Sequence, residues 1–282
     1  PSLYRVMRAA ASVGVFHEVE PRTFALTPTA ELLRADHPRS MREIVLFFTS
    51  PWGERCWDAL EQTVRSGITA HQLVFGQGAF EYLAQHPEVS ELFDHAMTAF
   101  SRDAIRAVTT TYDFSGIGTL VDVAGGRGAL IAGILAASPD LKGILFDQPH
   151  VVDHAFPILA AHGVSERCVT IGGDFFQAVP EGDAHFLSHI IHDWDDDRAL
   201  KILRNCRVAV RPDGRLLLLE AVVPSGDTPH SSKFLDLEML LIPGGRERTE
   251  SEYRDLLAIA GYRLDRVIPT PIPQCILEAS PV

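Results

Sequence analysis

The sequence predicts an α/β protein in which a mainly helical N-terminal region precedes a parallel sheet. Three observations support this prediction. Apolar residues recur at helical spacing through the first hundred residues. From about residue 110, β-branched apolar runs alternate with helical segments, as in sheets built from right-handed crossovers. Runs such as "RLLLLEAVV" are apolar throughout, which is typical of strands covered on both faces.

The N-terminal region is predicted to contain helices and one small β element. Five apolar residues at helical spacing predict the first helix: Leu3, Val6, Met7, Ala10 and Val13. Gly14 is a plausible end for it. "RTFALTPTAELL" then predicts a short strand, a turn at Thr27-Pro28 and a new helix, an arrangement that resembles a winged helix. Because the chain opens at Pro1 on a helical pattern, we expect the natural protein to begin further upstream.

The second region is predicted to alternate strands and helices. The elements are strand "TLVDVA", helix "ALIAGILAAS", strand "LKGILFD", helix "VVDHAFPILAAHG", strand "RCVTIGGDF", strand "GDAHFLSHII", helix "DDRALKILRNCRVAV" and strand "GRLLLLEAVV". The tail adds one more helix and two strands. We therefore expect two domains, residues 1–105 and 106–282.

Composition excludes several classes of function. A net charge of −12 and a pI of about 5.4 disfavour nucleic-acid binding, which needs a basic face. A winged-helix DNA-binding protein therefore remains the weakest of our alternatives. The sequence contains no run of 18 apolar residues, so it does not predict a membrane span. The four cysteines lie far apart without a CxxC pair, which indicates free thiols in a reducing compartment, expected to be the cytoplasm.

A glycine-rich turn in "LVDVAGGRGAL" indicates a ligand site, because glycines allow close backbone approach at a helix N-terminus. The dinucleotide fingerprint G-x-G-x-x-G fails, since its third glycine falls on Ile131. Asp147 closes the next strand and suits ribose hydroxyls, and "GGDFF" ends the third with Asp174 and two aromatic residues. Together these segments favour a nucleoside-bearing cofactor without a pyrophosphate.

These motifs, with "HIIHDWDDDRALKILRNC" and "PGGRERTESEYRDLLAIAGY", resemble the S-adenosylmethionine-dependent O-methyltransferases over essentially the whole chain. The similarity is greatest to caffeate-type and hydroxyindole enzymes and to bacterial enzymes that tailor polyketide antibiotics and phenazines. The resemblance implies a Rossmann-like class I methyltransferase sheet, and an N-terminal domain for dimerisation and for covering the substrate. It implies transfer of a methyl group to a hydroxyl of an aromatic small molecule. The alternatives are N-methylation and a non-methylating decarboxylase or hydroxylase activity on a polyketide, carried out on the same scaffold.

The resemblance also implies site residues. His192 would be the general base, with Glu220 and Glu247 beside it. The implied cofactor-binding residues are Ser101, Asp122, Ala124, Gly125, Gly126, Gly128, Asp147, Gln148, Gly173, Asp174, Phe175 and Ser188. The implied substrate-binding residues are Met97, Phe100, Asp193, Met239 and Leu240. Ala124 replaces the first glycine of the family's loop, and Ser188 replaces the lysine of plant members.

His192 follows an apolar strand and precedes a helix, so we expect it at the mouth of the sheet. Asp196 or Asp197 is predicted to cap that helix, with Asp195–Asp197 forming only a solvated cap. A carboxylate beside the imidazole would make it a stronger base. We expect no metal, because His189 and His192 lack a convincing further ligand set. The expected partners are a small aromatic substrate and a second copy of the chain, with no nucleic acid and no membrane.

Overall fold

The computed structural model describes residues 1–282, which pack into two compact units. The first unit comprises Pro1–Glu54 and His86–Phe100, and the second comprises Arg55–Gln85 and Ser101–Val282. This grouping does not follow a single boundary after residue 105. Residues 55–85 belong with the sheet, for a reason that lies in their packing.

The first unit begins with a helix, a β-hairpin and two further helices. These are α1 (Ser2–Ser12), β1 (Phe16–Glu20), β2 (Thr23–Leu26), α2 (Pro28–Glu31) and α3 (Arg42–Phe48). Gly14 adopts a φ of 82°, the left-handed conformation that glycine accepts without a Cβ clash, and the chain leaves α1 there. Thr27 Oγ1 accepts a hydrogen bond from Ala30 N at 3.2 Å and so caps α2. Strand β1 is an addition to the predicted elements.

Five further helices follow α3 in the chain: α4 (Pro51–Asp58), α5 (Leu60–Ser66), α6 (Ala70–Phe75), α7 (Ala79–Gln85) and α8 (Pro87–Thr111).

Aromatic side chains form much of the interior of the first unit. The Phe47 ring lies 5.5 Å from that of Trp52 and 5.7 Å from that of Phe93. The Phe48 ring lies 6.4 Å from that of Phe100. Phe93 and Phe100 of α8, both partly buried, thus pack on the aromatic residues of α3.

The second unit contains a seven-stranded sheet with the strand order β5-β4-β3-β6-β7-β9-β8. Its elements are β3 (Thr119–Val123), α9 (Ala129–Ala137), β4 (Lys142–Asp147), α10 (Pro149–Val152), α11 (Phe156–Ala161), β5 (Cys168–Gly172), β6 (Gly182–Ser188), α12 (Asp196–Ala209), β7 (Val210–Ala221), α13 (Ser232–Leu241), α14 (Glu250–Ile259), β8 (Tyr262–Pro269) and β9 (Gln274–Pro281). Short 3₁₀ turns lie at Ser165–Arg167 and Ile191–Asp193. Strands β5, β4, β3, β6 and β7 are parallel to one another, and β9 runs antiparallel to both its neighbours, β7 and β8. The α/β prediction is confirmed.

Helices cover both faces of this sheet. On β7, Leu217 and Leu219 belong to the core cluster that includes α9. Leu216 and Leu218 belong to the opposite cluster, which includes α12 and α14. Because successive strand residues point to opposite faces, a strand buried on both sides must be apolar at every position. This accounts for the continuous run "LLLL".

One predicted helix is two. "VVDHAFPILAAHG" was expected to form a single helix, but α10 ends at Val152 and α11 begins at Phe156. Pro157 lies in the first turn of α11, where its missing N–H costs nothing. The same ring would clash with the preceding turn of a continuous helix, so the chain breaks before it.

Residues 55–85 pack on α13, which explains their membership of the second unit. Leu241 is fully buried in a cluster with Cys56, Ala59 and Ala70. Trp57 Nε1 donates a hydrogen bond to Glu238 Oε1 at 2.7 Å. Helices α4 to α6 are thereby attached to the segment that follows β7.

Candidate active site

The predicted site residues of the second unit gather where the parallel strands end. The glycine loop follows β3, Asp147 ends β4, Gly173 follows β5, Ser188 ends β6, and Glu220 lies near the end of β7. In parallel sheets these carboxyl ends share one edge, and ligands of open α/β sheets bind there. The sheet therefore brings together residues that are distant in sequence.

His192 lies in the 3₁₀ turn after β6 and contacts three carboxylates. Its Nδ1 is 2.7 Å from Glu247 Oε1 and 3.5 Å from Glu220 Oε2. Its Nε2 is 3.6 Å from Asp193 Oδ1. The first two acids are buried, and both face the same ring nitrogen. The position of Asp193 beside the other nitrogen was not predicted.

The surrounding charges make His192 an unusually strong base. Burial alone would lower its pKa, but the three carboxylates raise the pKa to about 10. Burial raises the pKa of Glu220 to about 7 and that of Asp193 to about 6. Charge of one sign predominates in a water-poor cluster, an arrangement that is common where a protein performs acid–base chemistry.

Glu220 also holds the turn that carries His192. Its Oε1 accepts hydrogen bonds from Ile190 N at 3.1 Å and from Ile191 N at 2.8 Å. Glu247 is fixed through its backbone, where its N–H donates to Asp236 Oδ1 at 2.8 Å. Each acid is thus positioned by contacts other than the imidazole.

The capping prediction for α12 is wrong in detail. Asp195 is the cap, since its Oδ1 accepts from Arg198 N at 2.9 Å. Asp196 is not merely solvated, because its Oδ1 accepts from Arg248 Nη2 at 2.7 Å. The cap lies one residue earlier than predicted because the 3₁₀ turn ends at Asp193 and leaves Trp194 and Asp195 extended.

The glycine loop has left-handed backbone at three positions, with φ of 59° at Ala124, 60° at Gly126 and 82° at Gly128. For alanine this conformation costs roughly 1–2 kcal/mol. Gly125 is required for space, because a Cβ there would lie 2.4 Å from Asp122 Oδ2. The loop is fastened to β4 by Asp147, whose Oδ2 accepts from Gly126 N at 2.8 Å.

Asp122 tests whether this loop suits the predicted cofactor. The carboxylate is buried, and neither oxygen accepts a hydrogen bond. The nearby Ile131 N–H lowers the pKa of this carboxyl only in part. Burial, with the charge of Asp147, raises its pKa to about 7. Buried acceptors without donors indicate a missing partner. S-adenosylmethionine carries ammonium and hydroxyl donors, so the loop fits that group.

The end of β5 adds a second close approach. A Cβ on Gly173 would lie 2.5 Å from the Phe146 ring, so only glycine fits. Asp174 Oδ1 accepts from Phe176 N at 2.8 Å and leaves an exposed carboxylate. The Phe175 ring packs 4.7 Å from that of Phe176. Gln148 follows Asp147, and its N–H donates to that carboxylate at 2.6 Å.

The remaining predicted residues lie on α8 and α13. Met239 and Leu240 are partly buried on α13, which belongs to the same unit as His192. Ser101 lies in the half of α8 that belongs to this unit as well. Met97 and Phe100 belong to the first unit.

Sequence reasoning missed two features beside the base. His189 has a left-handed φ of 57°, and its Nδ1 lies 3.0 Å from Ser188 Oγ. Burial, with the charge of His192, lowers the pKa of His189 to about 3. Arg248 is fully buried behind the turn. Its place in "GGRERT", one residue after Glu247, was the available signal.

A metal site can be considered at the same cluster, where ligand atoms of His192, Glu220 and Glu247 lie within 4.8 Å of one another. Tetrahedral zinc would separate its ligands by about 3.4 Å. The 2.7 Å between Nδ1 and Glu247 is instead a hydrogen-bond distance. Our expectation of no metal remains a prediction.

Comparison with known proteins decides the family. The O-methyltransferase domain family matches residues 57–263. Phenazine O-methyltransferase PhzM of Lysobacter antibioticus is 45% identical over 286 residues, covering 100% of this chain and 83% of that protein. The chain belongs to the O-methyltransferase family. This O-methyltransferase is an enzyme that depends on S-adenosylmethionine, as its relatives do.

Two further relatives bear on the chemistry. The structure of an O-methyltransferase from neocarzinostatin biosynthesis, NcsB1, with S-adenosylmethionine and 2-hydroxy-5-methyl naphthoic acid matches with a TM-score of 0.84 and 31% identity, over 100% of this chain and 85% of that one. An 8-amino-8-demethylriboflavin N,N-dimethyltransferase of Streptomyces davaonensis is 37% identical, over 98% of this chain and 80% of that protein. No helix of this O-methyltransferase is both long and apolar enough to cross a membrane.

Proposed function

We propose that this O-methyltransferase methylates a hydroxyl of an aromatic small molecule of the phenazine or polyketide kind, with His192 as general base. One observation carries the proposal: Nδ1 of His192 lies 2.7 Å from Glu247. When Nδ1–H donates to this carboxylate, the neutral ring has its lone pair on Nε2. That nitrogen then accepts the proton of the hydroxyl.

The carboxylates reduce the energetic gap for proton transfer. A free phenol has a pKa near 10 and a free histidine one near 6.5, which leaves complete transfer uphill by about 5 kcal/mol. Because a ring with a pKa of about 10 is mostly protonated at neutral pH, His192 acts as the base only in the fraction that has released this proton, and that neutral ring then matches the phenol in proton affinity. Glu247 and Glu220 thus act through the imidazole, by orienting it and by stabilising its cation.

The proposed cofactor contacts follow the geometry of the sheet edge. S-adenosylmethionine supplies an electrophilic methyl group on a positively charged sulfur. Its binding is assigned to the glycine loop, the ends of β4 and β5, and two serines: Asp122, Ala124, Gly125, Gly126, Gly128, Asp147, Gln148, Gly173, Asp174, Phe175, Ser101 and Ser188. The unpartnered carboxylate of Asp122 supports this assignment.

The acceptor is proposed to be a flat aromatic molecule. PhzM acts on a phenazine, and NcsB1 is seen with a hydroxynaphthoic acid. Thioether and aromatic side chains suit such a surface. The proposed lining residues are Met97, Phe100, Met239 and Leu240, with Asp193 placed to orient a polar group near Nε2.

The decisive experiment replaces the base. We expect His192→Ala to bind S-adenosylmethionine normally by calorimetry but to transfer labelled methyl groups to a hydroxyphenazine or a hydroxynaphthoic acid at least ~10²-fold more slowly. His162→Ala, which removes an exposed histidine, is the control and should retain full activity. Turnover of His192→Ala close to that of the control would eliminate this role.

Nitrogen is a second candidate acceptor, favoured by the similarity to the riboflavin N,N-dimethyltransferase. A neutral aromatic amine already has a lone pair and needs no proton removed before attack. Paired hydroxyl and amino analogues of one aromatic ring distinguish the cases. Labelled methyl on the amine, with little loss in His192→Ala, would favour nitrogen; no label on either would point to another reaction on this scaffold.

We also propose a cytoplasmic homodimer in which the N-terminal region, about residues 1–105, serves dimerisation and covers the substrate. Helix α1 supports this, because none of its residues is buried and Leu3 and Val6 are exposed. Surface apolar faces of this kind favour association. Sedimentation equilibrium should give twice the chain mass; a monomer at micromolar concentration would contradict the proposal.

A further inference from the structure

Arg248 is buried, and every one of its N–H groups has an acceptor. The side chain is 1% exposed, and a guanidinium has five N–H donors. Nε and one Nη2–H bind Asp196 Oδ1, at 3.1 and 2.7 Å. The other three reach backbone carbonyls. Burying a guanidinium is costly unless its charge and donors are satisfied, and here they are.

The three carbonyls belong to the segments that carry the base and one of its acids. Nη1 donates to Ile191 O at 3.1 Å, and Nη2 donates to Trp194 O at 3.0 Å, so the fork spans the turn containing His192. Nη1 also reaches Arg246 O at 3.3 Å, on the strand-like segment before Glu247. One planar group thus binds both segments.

Close backbone packing joins the same two segments. Arg246 N donates to His192 O at 2.8 Å. A Cβ on Gly245 would lie 1.9 Å from His192 O, so the backbones touch where only glycine fits. The turn that carries His192 is therefore held by two groups, the Arg248 guanidinium and the Gly245–Arg246 backbone.

The Arg248 backbone connects to the third element of the cluster. Arg248 pairs with Val222 in a parallel bridge, and Val223 N donates to Arg248 O at 3.0 Å. Val222 is two residues beyond Glu220. Arg248 is thus linked through its backbone to the strand of one acid, through its neighbour to the other acid, and through its side chain to the base.

We propose that Arg248 is a positioning residue that fixes His192 against Glu247 and Glu220, and that this registration sets the strength and orientation of the base. The inference rests on the proposed role of His192. Arginine is needed because its planar fork spans carbonyls on two sides of the turn. An ammonium at the same place has three donors around a point and cannot reach both.

The test uses Arg248→Lys, which keeps the positive charge and removes the fork. We expect kcat to fall by ~10–100-fold, since small misplacements of a catalytic group cost that much. KM for S-adenosylmethionine should stay within about threefold. As the carboxylates move off the imidazole, the acid limb of kcat/KM should shift to lower pH, because His192 loses its stabilising charges.

Arg167→Lys is the matched control. Arg167 also holds three backbone carbonyls, those of Leu135, Ser138 and Leu141, but at the end of α9 and the start of β4. Its replacement should lower the melting temperature while leaving kcat and the pH profile of the folded enzyme unchanged. A purely structural Arg248 would behave like this control, and such a result would overturn the proposal.

Asp196→Asn keeps the test decisive if Arg248→Lys does not fold. Asp196 is half exposed, so the chain should tolerate the change, which removes the negative charge paired with Arg248 and, at 3.8 Å, with Arg246. We expect kcat to fall about 3–10-fold at unchanged cofactor KM; wild-type kcat would overturn the proposal. An active His192→Ala enzyme would instead refute the base itself, so the two failures are distinguishable.

Discussion

Two buried glutamates on neighbouring strands have opposite electrostatics. Glu220 near the end of β7 is fully buried, faces other acids, and has a pKa that burial raises to about 7. Glu278 on β9 is 8% exposed. Its Oε2 accepts from Tyr112 Oη at 2.6 Å and from Arg266 Nη2 at 2.7 Å. Burial opposes its ionisation, but these partners hold its pKa below the usual value.

The difference teaches how one sheet separates stability from chemistry. Around Glu278 each negative charge has a cation or a donor, so ionisation favours the fold. Around Glu220 three acids share one imidazole. This arrangement raises the pKa of His192, but it leaves more buried negative than positive charge, which destabilises the fold.

Glu247→Gln should have the largest effect. Its amide can donate to Nδ1 of His192, which would leave the proton on Nε2 and remove the lone pair that the acceptor needs. We expect kcat to fall by ~10²-fold or more with cofactor binding retained. Steady-state kinetics with calorimetry measures both, and a loss under threefold would contradict the assigned tautomer.

Glu220→Gln and Glu278→Gln form a matched pair. The first should lower kcat by about tenfold, because His192 loses one stabilising charge while the amide oxygen still accepts from Ile191 N. The second should leave kcat within twofold but lower the free energy of unfolding, because Glu278 loses the charge that binds Arg266 Nη2 and Tyr112 Oη. Urea unfolding and kinetics on both variants should show this crossed pattern; equal effects on both quantities would break the comparison.

The pH dependence of stability should differ between the two regions. His192 holds its proton more tightly in the folded protein, so its contribution is complete below about pH 6.5 and is lost as pH rises through about 10. Glu278 has a lowered pKa, so its contribution is present above about pH 4.5 and is lost as pH falls. The difference in free energy of unfolding between wild type and His192→Asn should fall as pH rises from about 6.5 to 10. The difference between wild type and Glu278→Gln should fall as pH drops below about 4.5.

Ala124→Gly should have the smallest effect, and it tests the backbone conformation of the glycine loop rather than its charges. Relief of the left-handed φ of 59° should stabilise the protein by about 0.5–1 kcal/mol after the added flexibility of glycine is subtracted. Gly126→Ala is the reciprocal control. Its φ is 60° and a Cβ there meets nothing within 4 Å, so the cost is conformational alone. Melting temperatures without cofactor should move in opposite directions.

Local patterns in the sequence carried most of the fold prediction. Alternating apolar runs and helical segments located the strands and helices of the second unit. They failed at "VVDHAFPILAAHG", where Pro157 restarts a helix, and at the cap of α12, where Asp195 takes the place predicted for Asp196. The first error is a missed helix break and the second a shift of one residue, and both arise because turn geometry depends on contacts that a periodic pattern does not contain.

The sequence by itself determined the order of strands and helices, and it placed His192, Asp147 and the glycine loop at strand ends, since these features follow from short-range periodicity and turn chemistry. Only the tertiary structure decided which imidazole nitrogen meets Glu247, that Arg248 binds the turn, and that residues 55–85 pack with the sheet. His192 and Glu247 are 55 residues apart. Contacts across such separations form only when the sheet and its helices close around them, so no local pattern specifies their distances.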